Sequence, residues 1–315
     1  MPISKHRCDY ERWLDTTRDL SRHTVDAYVS DVQALESFLG SNFRTRDLTA
    51  QHIYGFVDYL SAIPCSSTTI RRRISGVRGF CGWLHESDLI DQDPTLSVSL
   101  RFARPRRLPR ALSESDLLRL ISHLAGAADL RSSAGFPRVG SDRHVQSTTL
   151  LAVLLLVGTG MRVSELTSTT LSQIDIPART IRVLGKGLRE RMVYISNDDL
   201  SSAIEVYNAH RMQVSDLDAQ LLLNRRGQPL TSSALRARLE RAGDNAGIST
   251  RLTPHMLRHT AATQLIEAGV DIRFVQRLLG HASLTTTEIY THVADRSLRH
   301  AINEADVVGG FLTRT

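Results

Sequence analysis

Apolar residues in the first hundred positions recur at steps of three and four. Val25, Tyr28, Val32, Leu35 and Leu39 fall on one helical face, and Ile53, Phe56, Val57 and Leu60 repeat the spacing. A third helix is predicted from about Ser67 to Leu84, with Ile70, Ile74, Val77 and Leu84 on its apolar side and Arg71, Arg72, Arg73 and Arg78 around the rest. Gly76, Gly79 and Gly82 weaken that helix in isolation, so packing must hold it, and they also permit another backbone to come close. Asp93-Pro94 closes the block.

A second unit opens at Ser113-Glu114-Ser115-Asp116, a capping-box-like start before the apolar-periodic LLRLISHL. The segment 129–147, rich in Gly, Ser and Arg, reads as a long loop. Leu150–Val157 reads as a buried helix stopped by Gly158-Thr159-Gly160. Strands are predicted at Ile174–Ile176, Ile181–Leu184 and Arg191–Ile195, the last two joined through a hairpin at Gly185-Lys186-Gly187. Helices follow at about 199–210, 231–245, 254–268, 271–279 and 284–293, with a last one after Asp295; Gly269 and Gly280 stand where C-caps belong. The expected class is mainly α with a small antiparallel sheet. The expected division is a helical domain at 1–98, a linker at 99–112 and a larger α+β domain at 113–315.

Length agrees with two domains, since 315 residues exceed the usual size of one. The longest apolar stretch, Leu150 to Val157, is far short of the roughly 20 residues a bilayer needs, so no membrane role is expected. The N-terminus MPISKHRCDYERW has no apolar signal region, and Cys8, Cys65 and Cys81 lack paired metal or disulfide spacing, which makes a reducing cytoplasm the default location. The net charge of +6 permits a polyanionic partner, and its distribution is more telling. Residues 1–70 carry 7 basic against 9 acidic side chains, whereas residues 71–110 carry 9 against 4. RFARPRRLPR, at 101–110, holds five arginines and no acid, with Arg104, Arg106 and Arg107 at its centre. Only Lys5 and Lys186 among the 39 basic residues are lysines.

Four segments concentrate groups suited to phosphate chemistry: GTGMRVSEL (158–166), LGKG (184–187), TPHMLRHT (253–260) and LLGHASLTTTEIYTHV (278–293). Two arginines, Arg162 and Arg258, can grip the non-bridging oxygens of a phosphodiester and stabilise added negative charge at phosphorus. Tyr290 supplies an oxygen nucleophile that can form a phosphotyrosine. His255, one helical turn before Arg258, can help deprotonate it or bond a phosphate oxygen. Lys186 can protonate a departing sugar oxygen, which arginine cannot do at neutral pH. This chemistry requires no metal or other cofactor, because side chains supply the cations.

These segments resemble the tyrosine recombinase (phage integrase) family, in particular its Xer-like and transposon-encoded members. The family's six-residue set is present in order as Arg162, Lys186, His255, Arg258, His281 and Tyr290. LSRHTVDAYVSDVQALESFL and STTIRRRISGVRGFCGWL are similar to the family's SAM-like core-binding domain, so the resemblance spans about residues 20–305. It implies a helical core-binding domain joined to an α+β catalytic domain, closing as a C-shaped clamp on double-stranded DNA that carries paired inverted-repeat core sites. It further implies a homo-tetramer, or a hetero-tetramer with a second recombinase, exchanging strands through 3′-phosphotyrosine links and a Holliday junction. Glu165 matches the family's acidic helper. Arg71, Arg72, Arg73, Arg78, Arg104, Arg106 and Arg107 are the expected DNA contacts. The tail after Asp295, with Leu298, Ala301, Ile302 and Ala305, is expected to dock on a neighbouring subunit.

Blander readings stand beside these. His255 and His259, at i, i+4, have a zinc-like spacing, but Met256 replaces the glutamate of the metalloprotease pattern, and His259 is better read as a supporting residue. Gly158 and Gly160 lack the third glycine of a dinucleotide loop, where Val163 stands. Two rival functions remain at this level. One is a type IB topoisomerase-like nicking and closing enzyme with the same chemistry; the other is a non-catalytic DNA-binding architectural protein.

Overall fold

The computed structural model describes residues 1–17, 20, 22–99, 111–126, 140–184, 190–195, 197–211, 220–279, 302 and 304. The chain divides into two compact units, Met1–Arg107 and Leu108–Thr315. No helix among the described residues is long and apolar enough to cross a membrane.

The first unit is built from α1 (Ile3–Thr17), α2 (Arg22–Leu39), α3 (Ala50–Ala62) and α4 (Ser67–Glu86). The periodic residues do what their spacing predicts: Ile53, Phe56 and Leu60 of α3 meet Leu35 of α2 and Ile74 and Val77 of α4 in one cluster. A second cluster joins Tyr10 and Leu14 of α1 to Val25 and Val32 of α2 and Phe80, Trp83 and Leu84 of α4. Ser66 caps α4 by accepting the Thr69 N–H at 3.1 Å.

Between α2 and α4 lies a fully buried carboxylate. Asp31 is 0% exposed, and the Arg72 guanidinium donates to both its oxygens, at 2.6 and 2.7 Å. Burial pushes the Asp31 carboxyl up, and the Arg72 fork offsets that only in part, leaving it above the ordinary range. The absent side chain of Gly76 makes room for this pair: a Cβ there would lie 2.5 Å from an Asp31 oxygen and 2.9 Å from its Cβ.

The second unit is a helical body carrying a small sheet. In chain order it comprises α5 (Glu114–Ala125), α6 (Asp142–Thr159), α7 (Val163–Ser168), β1 (Ile174–Asp175), β2 (Thr180–Leu184), β3 (Glu190–Tyr194), α8 (Asp198–Arg211), α9 (Ser232–Asn245), α10 (Pro254–Glu267) and α11 (Ile272–Leu279). The sheet is antiparallel in the order β1-β2-β3, with Ile174 opposite Ile181 and Val183 opposite Arg191. α6 is the central helix, buried from Ser147 through Thr159 on every face, and α5, α8, α9 and α10 surround it. Ser113 caps α5, as expected, by accepting the Asp116 N–H at 3.1 Å.

The loop expected at 129–147 gives way to helix over 142–147, while 129–139 lie outside the described residues. Residues 142–147 are the first turns of α6, capped by Ser141, which accepts the His144 N–H at 3.1 Å. Composition misleads here because the hydroxyls turn back onto their own helix. Ser147 donates to the Arg143 carbonyl at 2.9 Å and Thr149 to that of Val145 at 2.6 Å, so a polar sequence can enter the core as helix. Of the tail, Ile302 is 1% exposed and packs into this unit's core and Glu304 is exposed, while the rest lies outside the described residues. The hairpin at 185–187, the helix at 284–293, Gly280, Arg104, Arg106, Arg107 and most of the 99–112 linker lie outside the described residues.

Two glycines of α4 should respond oppositely to alanine. Gly76→Ala should destabilise the chain by about 1–3 kcal/mol, because Asp31 cannot yield without leaving Arg72. Gly82→Ala meets nothing closer than an Asp93 oxygen at 4.0 Å and should gain up to about 1 kcal/mol from helix propensity. Denaturant melts of the two variants check this; shifts of the same sign would contradict it.

Candidate active site

The site is assembled where α6 ends. Gly160 terminates that helix in the left-handed region, at φ 64°, with its N–H bonded to the Leu156 carbonyl at 3.1 Å. A side chain here would meet two obstacles: the backbone conformation and the Leu279 side chain, 2.8 Å from where a Cβ would stand. Two residues on, Arg162 is the N-cap of α7 and Glu165 its third residue. The Glu165 carboxylate accepts the Arg162 backbone N–H at 2.7 Å and a guanidinium N–H of the same residue at 2.9 Å. One carboxylate therefore fixes both the backbone and the side chain of Arg162, whose side chain remains 43% exposed and accessible to a ligand.

Glu165 itself is only 4% exposed, and it has a second cation. Arg191 on β3 donates to both its oxygens, Nη1 to Oε1 at 2.6 Å and Nη2 to Oε2 at 2.8 Å. Burial alone would push the Glu165 carboxyl up. The Arg191 fork and the Arg162 N–H outweigh it, and the net position is below the ordinary carboxylate range. Arg191 also donates through Nε to the Leu278 carbonyl at 3.3 Å.

Arg258 closes the arrangement from α10. Thr253 caps that helix, Pro254 occupies its first position, and His255 follows, exposed, one turn before the buried Arg258. Arg258 Nη1 donates to the Gly160 carbonyl at 2.5 Å and Nη2 to the Leu279 carbonyl. Burial pushes its guanidinium down to about 10, and the charge of Arg162 adds to the effect; it remains a cation at neutral pH. The last carbonyls of α11, which a helix end leaves without internal partners, are thus met by arginines from β3 and α10.

Among the sequence-predicted site residues, Arg162, Glu165 and Arg258 are brought together here, and His255 and the half-buried His259 stand on the same helix as Arg258. Lys186, His281 and Tyr290 lie outside the described residues. In the first unit, Arg72 is engaged by Asp31 and Arg78 donates to the Val98 carbonyl at 2.8 Å, while Arg71 and Arg73 are partly buried on α4. Sequence reasoning missed Arg191. A signal existed: it falls on the strand face of Val193, which is buried, and an arginine on the core side of a strand implies an anionic partner.

Residues 140–297 match the model of the phage integrase family, and residues 9–87 match that of the phage integrase N-terminal SAM-like domain. The tyrosine recombinase XerC of Mycobacterium bovis (strain BCG / Pasteur 1173P2) is 34% identical over 299 residues, covering 94% of this chain and 96% of the relative. The chain belongs to the phage integrase family of tyrosine recombinases. The tyrosine recombinase XerD of Halalkalibacterium halodurans is 33% identical over 290 residues, covering 90% of this recombinase and 91% of that one. In fold, this recombinase is similar to a lambda integrase tetramer bound to a Holliday junction, with a TM-score of 0.69 at 19% identity over 96% of this chain and 78% of that one.

The lowered Glu165 carboxyl has a pH signature. A carboxylate whose folded pKa is depressed contributes stability that is complete above its unfolded value, near 4.3, and is lost as pH falls through the folded one. The stability gap between the wild type and Glu165→Gln should therefore be widest above about pH 5 and shrink on acidification. Melting curves of both proteins across that range test this; a gap that widens in acid would contradict it.

Proposed function

We propose that this recombinase is a site-specific DNA recombinase that cuts and rejoins double-stranded DNA through a 3′-phosphotyrosine intermediate and a Holliday junction. In this reading it works in the cytoplasm as a tetramer on two sites with inverted-repeat cores, either alone or with a second recombinase. The observation that carries the reading is the charge balance of the site. Among the described residues, Arg162, Arg191 and Arg258 approach one another around the carboxylate of Glu165, which leaves an excess of positive charge for a phosphodiester to neutralise.

Arg162 and Arg258 hold the non-bridging oxygens of the scissile phosphate. The two Arg258 bonds to carbonyls use two of its five N–H groups, so a guanidinium held this way retains donor capacity. Tyr290 attacks phosphorus through its phenolic oxygen. The bond to the 5′-oxygen breaks, and Lys186 protonates that leaving group. His255 and His281 assist at the nucleophile and the phosphate. Attack by a 5′-hydroxyl of the partner DNA reverses the step and releases the tyrosine, so the exchange conserves the number of phosphodiester bonds. Arginines of α4 and of the 101–110 segment contact the DNA backbone elsewhere.

Two substitutions test this reading. Tyr290→Phe should keep DNA binding and abolish the denaturant-resistant protein–DNA adduct; an adduct formed by the Phe variant would remove Tyr290 from the role. Lys186→Arg should keep charge and affinity but slow cleavage by about 10²–10⁴-fold, the usual range for acid–base assistance. A substrate with sulfur at the 5′-bridging position has a leaving group that needs no proton, so its cleavage should be nearly insensitive to Lys186→Arg. Equal slowing of the oxygen and sulfur substrates would reduce Lys186 to a positioning role.

A further inference from the structure

Arg191 touches three elements with one planar group. Its two terminal nitrogens bind the oxygens of Glu165, at 2.6 and 2.8 Å, and its Nε binds the Leu278 carbonyl at 3.3 Å. Each contact is a short chain distance from a residue of the proposed chemistry. Glu165 lies three residues after Arg162 and holds its backbone and side chain. Leu278 lies three residues before His281, at the end of α11. Arg191 itself lies five residues after Lys186, on the strand that returns from the lysine-bearing segment.

The geometry points to Arg191 as a positioning residue for the recombination reaction, tying α7, which Arg162 caps, to β3 and to the end of α11 through one guanidinium. The inference rests on the proposed recombinase chemistry and adds to it a residue that does not touch the DNA.

Lysine could do this work only in part. The three bonds leave the planar guanidinium in two directions: a side-by-side pair to a carboxylate and a third bond from Nε to a carbonyl. A single ammonium cannot reproduce the fork while also reaching the Leu278 carbonyl. The location also excludes a simple surface role, because the Arg191 side chain is 17% exposed and its partner carboxylate 4%. Removing it leaves Glu165 with Arg162 alone and withdraws a cation from the end of α11. Arg162 would then answer to a less constrained carboxylate, and β3 would lose its link to α7.

The test uses a nicked duplex, selected by the wild-type protein from a random-sequence pool, on which cleavage traps the covalent adduct. The readouts are the cleavage rate at saturating protein and the protein concentration that gives half that rate. Arg191→Met should lower the saturating rate by about 10²-fold, the scale expected when reacting groups are misplaced by about 1 Å, with the half-saturating concentration unchanged. Arg191→Lys should recover part of that rate. In a Glu165→Gln background, Arg191→Met should add little, because the two residues act as one unit. Should Arg191→Met fail to fold, Arg191→Lys, which keeps the charge, carries the same comparison.

A folded variant with the wild-type rate would overturn the inference. So would a loss expressed wholly as weaker DNA binding, or effects of Glu165 and Arg191 that multiply independently. A wild type that forms no adduct would overturn the recombinase reading and this inference with it, whereas a wild-type adduct beside an unslowed variant overturns the inference alone.

Discussion

The Glu165 carboxylate is nearly sealed from water, and an ion in that position is tolerable only if its oxygens are fully occupied. Withdrawing a carboxylate from water costs several kcal/mol even after relaxation, about the magnitude that well-placed charged hydrogen bonds return. Three groups occupy it: the Arg162 backbone N–H, the Arg162 guanidinium and the Arg191 fork. Much of the second unit follows from keeping them there. The central helix α6 must stop at a left-handed glycine so that the chain can turn Arg162 back toward the carboxylate. The sheet must bring Arg191 in from the other side. The close contact between Gly160 and Leu279 then brings the end of α11 within reach of Arg258. Removing one partner would strand a buried charge, which makes the cluster stiff as well as charged.

The first unit uses the same device with a different balance. Asp31 is also a buried carboxylate met by a forked arginine, yet its carboxyl sits above the ordinary range while that of Glu165 sits below. The partners explain the difference. Asp31 draws its hydrogen bonds from Arg72, whereas Glu165 has two arginines and a backbone N–H. Burial opposes ionisation at both sites, and the number of charged and backbone donors decides which way the group moves.

Much of this arrangement was legible in the sequence. Three- and four-residue periodicity located α2, α3 and α4 because each buries one stripe, and β-branched runs located β2 and β3. The cluster of Arg162, Glu165 and Arg258 was legible through the phrases around them. α1 and the Asp31–Arg72 pair were not, and two further misses have a clear physical reason. The start of α6 was hidden because Ser147 and Thr149 satisfy their hydroxyls on the helix itself, so a polar stretch enters the core without outside partners. Arg191 was hidden because its importance is a property of three contacts far apart in the chain, to residues 165 and 278, that no local pattern encodes. Its place on the inward face of β3 was the only local trace.

The proposed seat of the scissile DNA phosphate is the cationic cluster ordered by Glu165. A crystal structure of the Tyr290→Phe chain bound to its selected duplex tests it most directly. Non-bridging phosphate oxygens are expected about 2.7–2.9 Å from guanidinium nitrogens of both Arg162 and Arg258, with the Glu165–Arg191 fork intact beneath them. A phosphate bound elsewhere, or a Glu165 carboxylate released from Arg191 on binding, would contradict it.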